Sequence, residues 1–127
     1  MKRSVIVTDQ APAAIGPYSQ AIRAGDFLFV SGQLPMDPRT ASIVEGGIEA
    51  QTEQVLGNIS GILASQKLDA NQVVKVTIFL KDMNDFGVVN SIYGRVFQSR
   101  PPARECVEFA RLPKDALIEI SLIACYE

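Results

Sequence analysis

Two stretches of the chain repeat their apolar residues every three or four positions, and the other apolar residues fall in short runs. From Ile48 onward Val55, Leu56, Ile59, Ile62 and Leu63 mark one face, with Glu49, Gln54, Asn58 and Gln66 between them. This period predicts an amphipathic helix over roughly Gly47 to Lys67. A second helix would carry Phe86, Val89, Tyr93, Val96 and Phe97 on its core face, with Asn84 or Asp85 as its cap and an end before Pro101-Pro102.

The short runs predict strands. Ser4 to Thr8, Ser19 to Ala24 and Phe27 to Ser31 come first, the last two joined at Gly25-Asp26 in a hairpin. Pro35 and Pro38 make Leu34 to Ser42 a loop or an edge strand. Asn71 to Lys81 contains Val73 to Leu80, rich in β-branched and aromatic residues, which predicts a central strand. Arg104 to Phe109 and Leu117 to Cys125 complete the set around a Leu112-Pro113-Lys114-Asp115 turn. The resulting order, ββ(β)αβαββ, predicts an α+β fold in which two helices cover one face of a mixed sheet. Both alternating sets of the last strand, Ile118/Ile120/Leu122 and Leu117/Ser121/Ile123, are largely apolar, which predicts burial on both faces. Two helices suffice for one face, so the other is expected to meet another subunit.

At 127 residues the chain is expected to form one domain over residues 1–127 around one core. Its 12 Lys and Arg against 14 Asp and Glu give a net charge of −2 with no long run of either sign. That balance argues against nucleic acid as a partner. The N-terminal apolar run is too short for a signal peptide, and no stretch approaches the roughly 20 apolar residues of a membrane span. A cytosolic protein without membrane contact is expected. Cys106 and Cys125 lack CxxC spacing and are read as free thiols. The chain contains no His, which removes Ser-His-Asp and Cys-His catalysis and zinc sites built on imidazole.

Chemistry is thereby left to carboxylates, Arg, Lys, Tyr, Cys, hydroxyls and the backbone. Strand alternation puts Arg104, Cys106 and Glu108 on one face and Glu105, Val107 and Phe109 on the other. A planar guanidinium suits a substrate carboxylate because it donates two parallel charge-assisted hydrogen bonds. Pattern alone favours Arg104 as a solvated edge-strand residue or an ion-pair partner of Glu108 or Glu119. Glu119 interrupts an aliphatic strand, where a carboxylate must be paired or stand in a cleft. Its functional role would be to orient water or shuttle a proton; its structural role would be as partner to Arg104 or Lys114. Cys106 lacks an obvious base, so its backbone groups are favoured over its sulfur. Tyr18 and Ser31 sit at loop or strand-end positions from which a phenol and a hydroxyl can reach a cleft.

Three segments carry a more specific signal: Ala11-Pro12-Ala13-Ala14-Ile15-Gly16-Pro17-Tyr18-Ser19-Gln20, Ser31-Gly32-Gln33-Leu34-Pro35, and Pro102-Ala103-Arg104-Glu105-Cys106-Val107-Glu108 running into Ala110-Arg111-Leu112-Pro113-Lys114-Asp115. With Val89-Asn90 and Ile118-Glu119-Ile120 they closely resemble the RidA (YjgF) family of reactive-intermediate deaminases, in the right order over nearly the whole chain. The resemblance implies a chorismate-mutase-like α+β fold and a homotrimer with clefts between subunits. It implies hydrolysis of 2-iminobutanoate and 2-iminopropanoate to 2-oxo acids and ammonia, with neither cofactor nor metal. Arg104 would then bind the substrate carboxylate, and Glu119 with backbone atoms at Cys106 would place the attacking water. Tyr18, Ser31 and Asn90 would line the cleft, with Tyr18 drawn from the same or the adjacent subunit. An activated imine needs little more than orientation, one carboxylate and a clamp. Glu105, Phe109 and Ser121 depart from the family pattern; the first two should affect packing, and Ser121 the polarity around Glu119. The competing reading is a non-catalytic trimer on the same fold that binds or senses small carboxylates.

Overall fold

The computed structural model describes residues 2–127. The chain opens with three antiparallel strands, β1 (Arg3–Ile6), β2 (Ala21–Ala24) and β3 (Phe27–Gln33). Gly25 makes the tight turn between β2 and β3 with φ 61°, a left-handed value that suits a residue without a side chain. The Pro-containing segment then forms a separate ribbon of two short strands, β4 (Met36–Asp37) and β5 (Ser42–Ile43). Next come the long helix α1 (Gly47–Ser65), strand β6 (Val73–Leu80), helix α2 (Phe86–Val96), and strands β7 (Ala103–Glu108) and β8 (Ile118–Cys125). Each predicted element is present, with ends shifted by a few residues.

The main sheet runs β1-β2-β3-β8-β6-β7. Every pairing is antiparallel except β6 with β7, which α2 connects as a parallel crossover. Both helices pack on one face. Leu28, Val76, Ile78, Leu80, Ile118 and Ile120 point into that layer and are fully or almost fully buried, against Val55, Ile59, Ile62 and Val89 of the helices. Complete burial of one such side chain stabilises the fold by roughly 1.5–3 kcal/mol. Among the described residues no element covers the opposite face. Phe27, Phe29 and Val5 remain exposed there.

Two expectations need correction. Neither Asn84 nor Asp85 caps α2 with its side chain. Instead a short 3-10 turn, Met83–Asp85, precedes the helix, and Asp82 accepts its first free N–H, from Asn84, at 2.9 Å. The turn carries the chain from β6 into α2, so the cap sits one turn earlier. Val96 is exposed, and Ile92 takes the core position in its place. On β8 one alternating set is fully buried within the chain, and Leu117, Ser121 and Ile123 are half-buried on the face expected to meet another subunit.

The loop between β1 and β2 hangs on one buried amide. Gln20 Nε2 donates to the carbonyls of Thr8, Ala11 and Pro12 at 2.9, 3.3 and 2.8 Å, and Gln20 Oε1 accepts from the Thr8 N–H at 2.8 Å. Gln20→Ala leaves these groups unmatched and is expected to lower the unfolding free energy by about 2–3 kcal/mol in urea titrations. A loss below about 0.5 kcal/mol, the range of an inert surface change, would mean that the loop is held elsewhere.

Candidate functional site

Arg104 lies on β7, an edge strand, opposite Val76 and on the helix-covered side of the sheet. Phe86, Asn90 and Tyr93 follow one another by four and three residues, so they share the face of α2 that meets it. The Arg104 Nη1 donates to Asn90 Oδ1 at 2.7 Å. Its guanidinium carbon stands 4.8 Å from the centre of the Tyr93 ring and 5.4 Å from that of Phe86, within cation–π range of both. Arg104 forms no ion pair among the described residues. Glu108 is occupied instead by the Met83 N–H at 2.8 Å. A charged fork is thus held from behind by one amide and two rings, with donors left to spare.

Cys106 follows on the same side, half-buried against the core. Burial pushes its thiol pKa up, and the Arg104 charge offsets only part of that rise. The thiol stays protonated at neutral pH, a poor state for a nucleophile.

Glu119 lies elsewhere. β6 separates β8 from β7, and Glu119 pairs with Phe79, whose side chain points to the open face. Arg104 and Glu119, which the sequence allowed to pair, therefore do not meet within one chain: the two side chains leave opposite faces of the sheet, two strands apart. No cation pairs with Glu119 among the described residues, neither Arg104 nor Lys114, and burial pushes its carboxyl pKa up. The carboxylate rests on Gly32, where the β3–β8 register shifts between Val30 and Gln33. A Cβ added to Gly32 would lie 2.0 Å from Glu119 Oε2, so only glycine leaves room for this placement.

The remaining candidates gather around Gly32. Tyr18 and Gly32 line one shallow depression with Pro12 and Gln33. Tyr18 is exposed, and its hydroxyl accepts a long hydrogen bond of 3.4 Å from the Ile15 N–H. The Ser31 hydroxyl is engaged: it donates to the Ser19 carbonyl at 2.6 Å and so pins the Tyr18 loop to β3. The chain thus carries two groups of candidate residues, Arg104 with Asn90 and Cys106 on one side, and Tyr18, Ser31 and Glu119 on the other. Glu105, on the open face as expected, bonds the Thr77 hydroxyl and pairs with Lys75 Nζ at 3.1 Å. Phe109 stacks on Phe79 at 4.8 Å between ring centres.

Four further residues belong to this machinery. Gly32 and Gln20 lie inside the quoted motifs, but a glycine's close approach and an amide's carbonyl partners are tertiary facts without a local sequence signal. Phe86 and Tyr93 read as core positions. Their spacing with Asn90 was the available sign that one helix face could hold a cation.

A family model described as endoribonuclease L-PSP matches residues 8–126. A RutC family protein of Pyrococcus horikoshii is 55% identical over 125 residues, covering 98% of this chain and 99% of the relative. A mouse protein named 2-iminobutanoate/2-iminopropanoate deaminase is 47% identical over 122 residues, covering 96% of this chain and 90% of its own. Among solved structures, TdcF of E. coli with bound serine superposes with a TM-score of 0.92 at 38% identity, covering 98% of this chain and 99% of that one.

Two outcomes follow from the Glu119 geometry. Because burial raises its pKa, the folded chain retains a proton that the unfolded chain has lost, so this group's contribution to stability declines as pH rises from the unfolded to the folded pKa. Glu119→Gln should lack that decline and be more stable than wild type at about pH 7, but not at about pH 4, in paired urea titrations. Equal stability at both would mean that the carboxyl is not perturbed. Gly32→Ala should fold with little change in melting temperature yet displace the carboxylate, which a crystal structure of the variant would reveal; an unmoved Glu119 would contradict the close packing.

Proposed function

The chain belongs to the endoribonuclease L-PSP family, also called the RidA, YjgF or RutC family, and from this premise we propose that it hydrolyses 2-imino acids such as 2-iminobutanoate and 2-iminopropanoate. The products are the 2-oxo acid and ammonia. The observation that carries the reading is a cationic fork with free donors on one face and a half-buried carboxylate without an ion-pair partner on the other, neither sufficient alone. Apposition of two copies in a homotrimer joins the Arg104 side of one subunit to the Glu119 side of the next across a cleft.

In that cleft Arg104 takes the substrate carboxylate through two parallel N–H donors, with Asn90 fixing the opposite edge of the guanidinium. Glu119, in its ionised form, receives a proton from water as the water oxygen bonds to the imine carbon, while the C=N π pair moves onto nitrogen, which takes a proton from solvent. Backbone groups at Cys106 help hold that water. Glu119 then returns its proton to the nitrogen of the tetrahedral carbinolamine, and ammonia leaves as the C–N bond breaks and the C=O bond forms, the hydroxyl proton passing to solvent. Tyr18 and Ser31 close the rim. An imine carbon is already electrophilic, so positioning and one base suffice without a cofactor or metal. The raised Glu119 pKa suits a base working near neutral pH better than an ordinary carboxylate does.

The mouse relative's name supports this activity, and the serine bound to TdcF supports recognition of small carboxylates by the family. That same serine ligand, which has no imine, favours the second reading of a carboxylate-binding trimer without turnover. RNA cleavage, the activity in the family model's description, is less well supported: the chain has no His and a net charge of −2.

With freshly generated 2-iminobutanoate, Arg104→Ala should lower kcat/KM on the order of 100-fold or more, and Arg104→Lys should not restore it, because a point charge cannot replace a fork. Glu119→Gln should lower kcat by about 10² to 10⁴ with little change in affinity for 2-oxobutanoate. A wild-type protein that releases 2-oxobutanoate no faster than buffer, yet binds it, would leave the sensor reading standing and remove the enzyme.

A further inference from the structure

Arg104 is supported by two aromatic residues, and they differ in one atom. Tyr93 is 5% exposed, and its hydroxyl oxygen is buried without a hydrogen-bond partner among the described residues. A cation–π floor needs only a ring, and a phenylalanine such as Phe86 supplies it without burying a hydroxyl. Phe97 stacks on Tyr93 at 4.4 Å between ring centres, so the phenol is retained in apolar surroundings at the cost of an unmade bond.

What lies beside that oxygen is Arg104. Burial raises the phenol's pKa, and Arg104 offsets part of the rise through its charge and through a close approach to the hydroxyl that falls short of hydrogen-bonding geometry. The phenol therefore stays neutral and keeps its capacity as an acceptor. Arg104 has five N–H donors. Asn90 takes one, and a bound carboxylate would take two. That leaves two of the five N–H groups for the phenol.

We propose that Tyr93 is a positioning residue for Arg104, its ring carrying the guanidinium in the free protein and its buried hydroxyl accepting a guanidinium N–H once a 2-oxo or 2-imino carboxylate is bound. This inference rests on the reading of Arg104 as the carboxylate clamp. It makes Tyr93 a contributor to affinity at the expense of stability: the bond is missing in the free protein and present in the complex.

Isothermal titration of full-length wild type and Tyr93→Phe with 2-oxobutanoate, together with thermal melts, tests it. Tyr93→Phe should melt at the same or a higher temperature and bind 2-oxobutanoate about 5- to 10-fold more weakly. Its KM for 2-iminobutanoate should rise in proportion, with kcat unchanged. Equal affinity in the two proteins would overturn the proposal and leave the clamp intact. Weaker binding with a lower melting temperature would also overturn it, since a packing defect would explain both. Wild type failing to bind 2-oxobutanoate would remove the clamp itself, and the role of Tyr93 with it.

Discussion

Side chains on a strand alternate between faces, and in this fold that alternation decides where chemistry can occur. β6 stands between β7 and β8, and the register Val76↔Arg104 and Phe79↔Glu119 sends the two charged groups to opposite sides of one sheet. No rotamer brings them together, because the fully buried Val76, Ile78 and Ile120 lie between. A one-residue slip would reverse this, but the same slip would turn the apolar set of β6 or β8 out of the core. Hydrophobic burial therefore enforces the separation of the two polar groups.

Each side is then built locally. On the helix-covered face, α2 presents Phe86, Asn90 and Tyr93 as a single stripe that orients a guanidinium exposed at a sheet edge. On the open face, the irregularity in β3 places Gly32 beneath Glu119, and the loop tied by Gln20 and Ser31 brings Tyr18 to the same region. The open face also carries Phe27, Phe29 and Val5, exposed apolar side chains that a second subunit would cover. Proposed assembly and proposed chemistry thus draw on the same unsatisfied surface.

Much of this was legible in the sequence because it depends on period. The 3.6-residue repeat located α1 and α2, the β-branched runs located the strands, and alternation assigned Arg104 and Cys106 to one face and Glu105 and Val107 to the other. The motifs around Arg104, Tyr18 and Glu119 carried the family. Strand order was beyond that reading: β7 and β8 are consecutive in sequence, yet a parallel crossover through α2 pairs β7 with β6 and leaves β8 on the far side. Whether Arg104 and Glu119 could pair within one chain turned on that one unknown. Gly32, Gln20 and Tyr93 were hidden for a related reason, since their roles exist only where distant segments touch.

Catalysis as proposed requires a site shared between two copies of the chain, and subunit complementation measures that directly. Arg104→Ala and Glu119→Gln subunits are each expected to be nearly inactive toward 2-iminobutanoate. Co-expressed and mixed at random in a closed ring, they pair an intact Arg104 side with an intact Glu119 side at about one interface in four, so the mixture should recover about a quarter of wild-type activity. A mixture no more active than its two components would contradict the shared site.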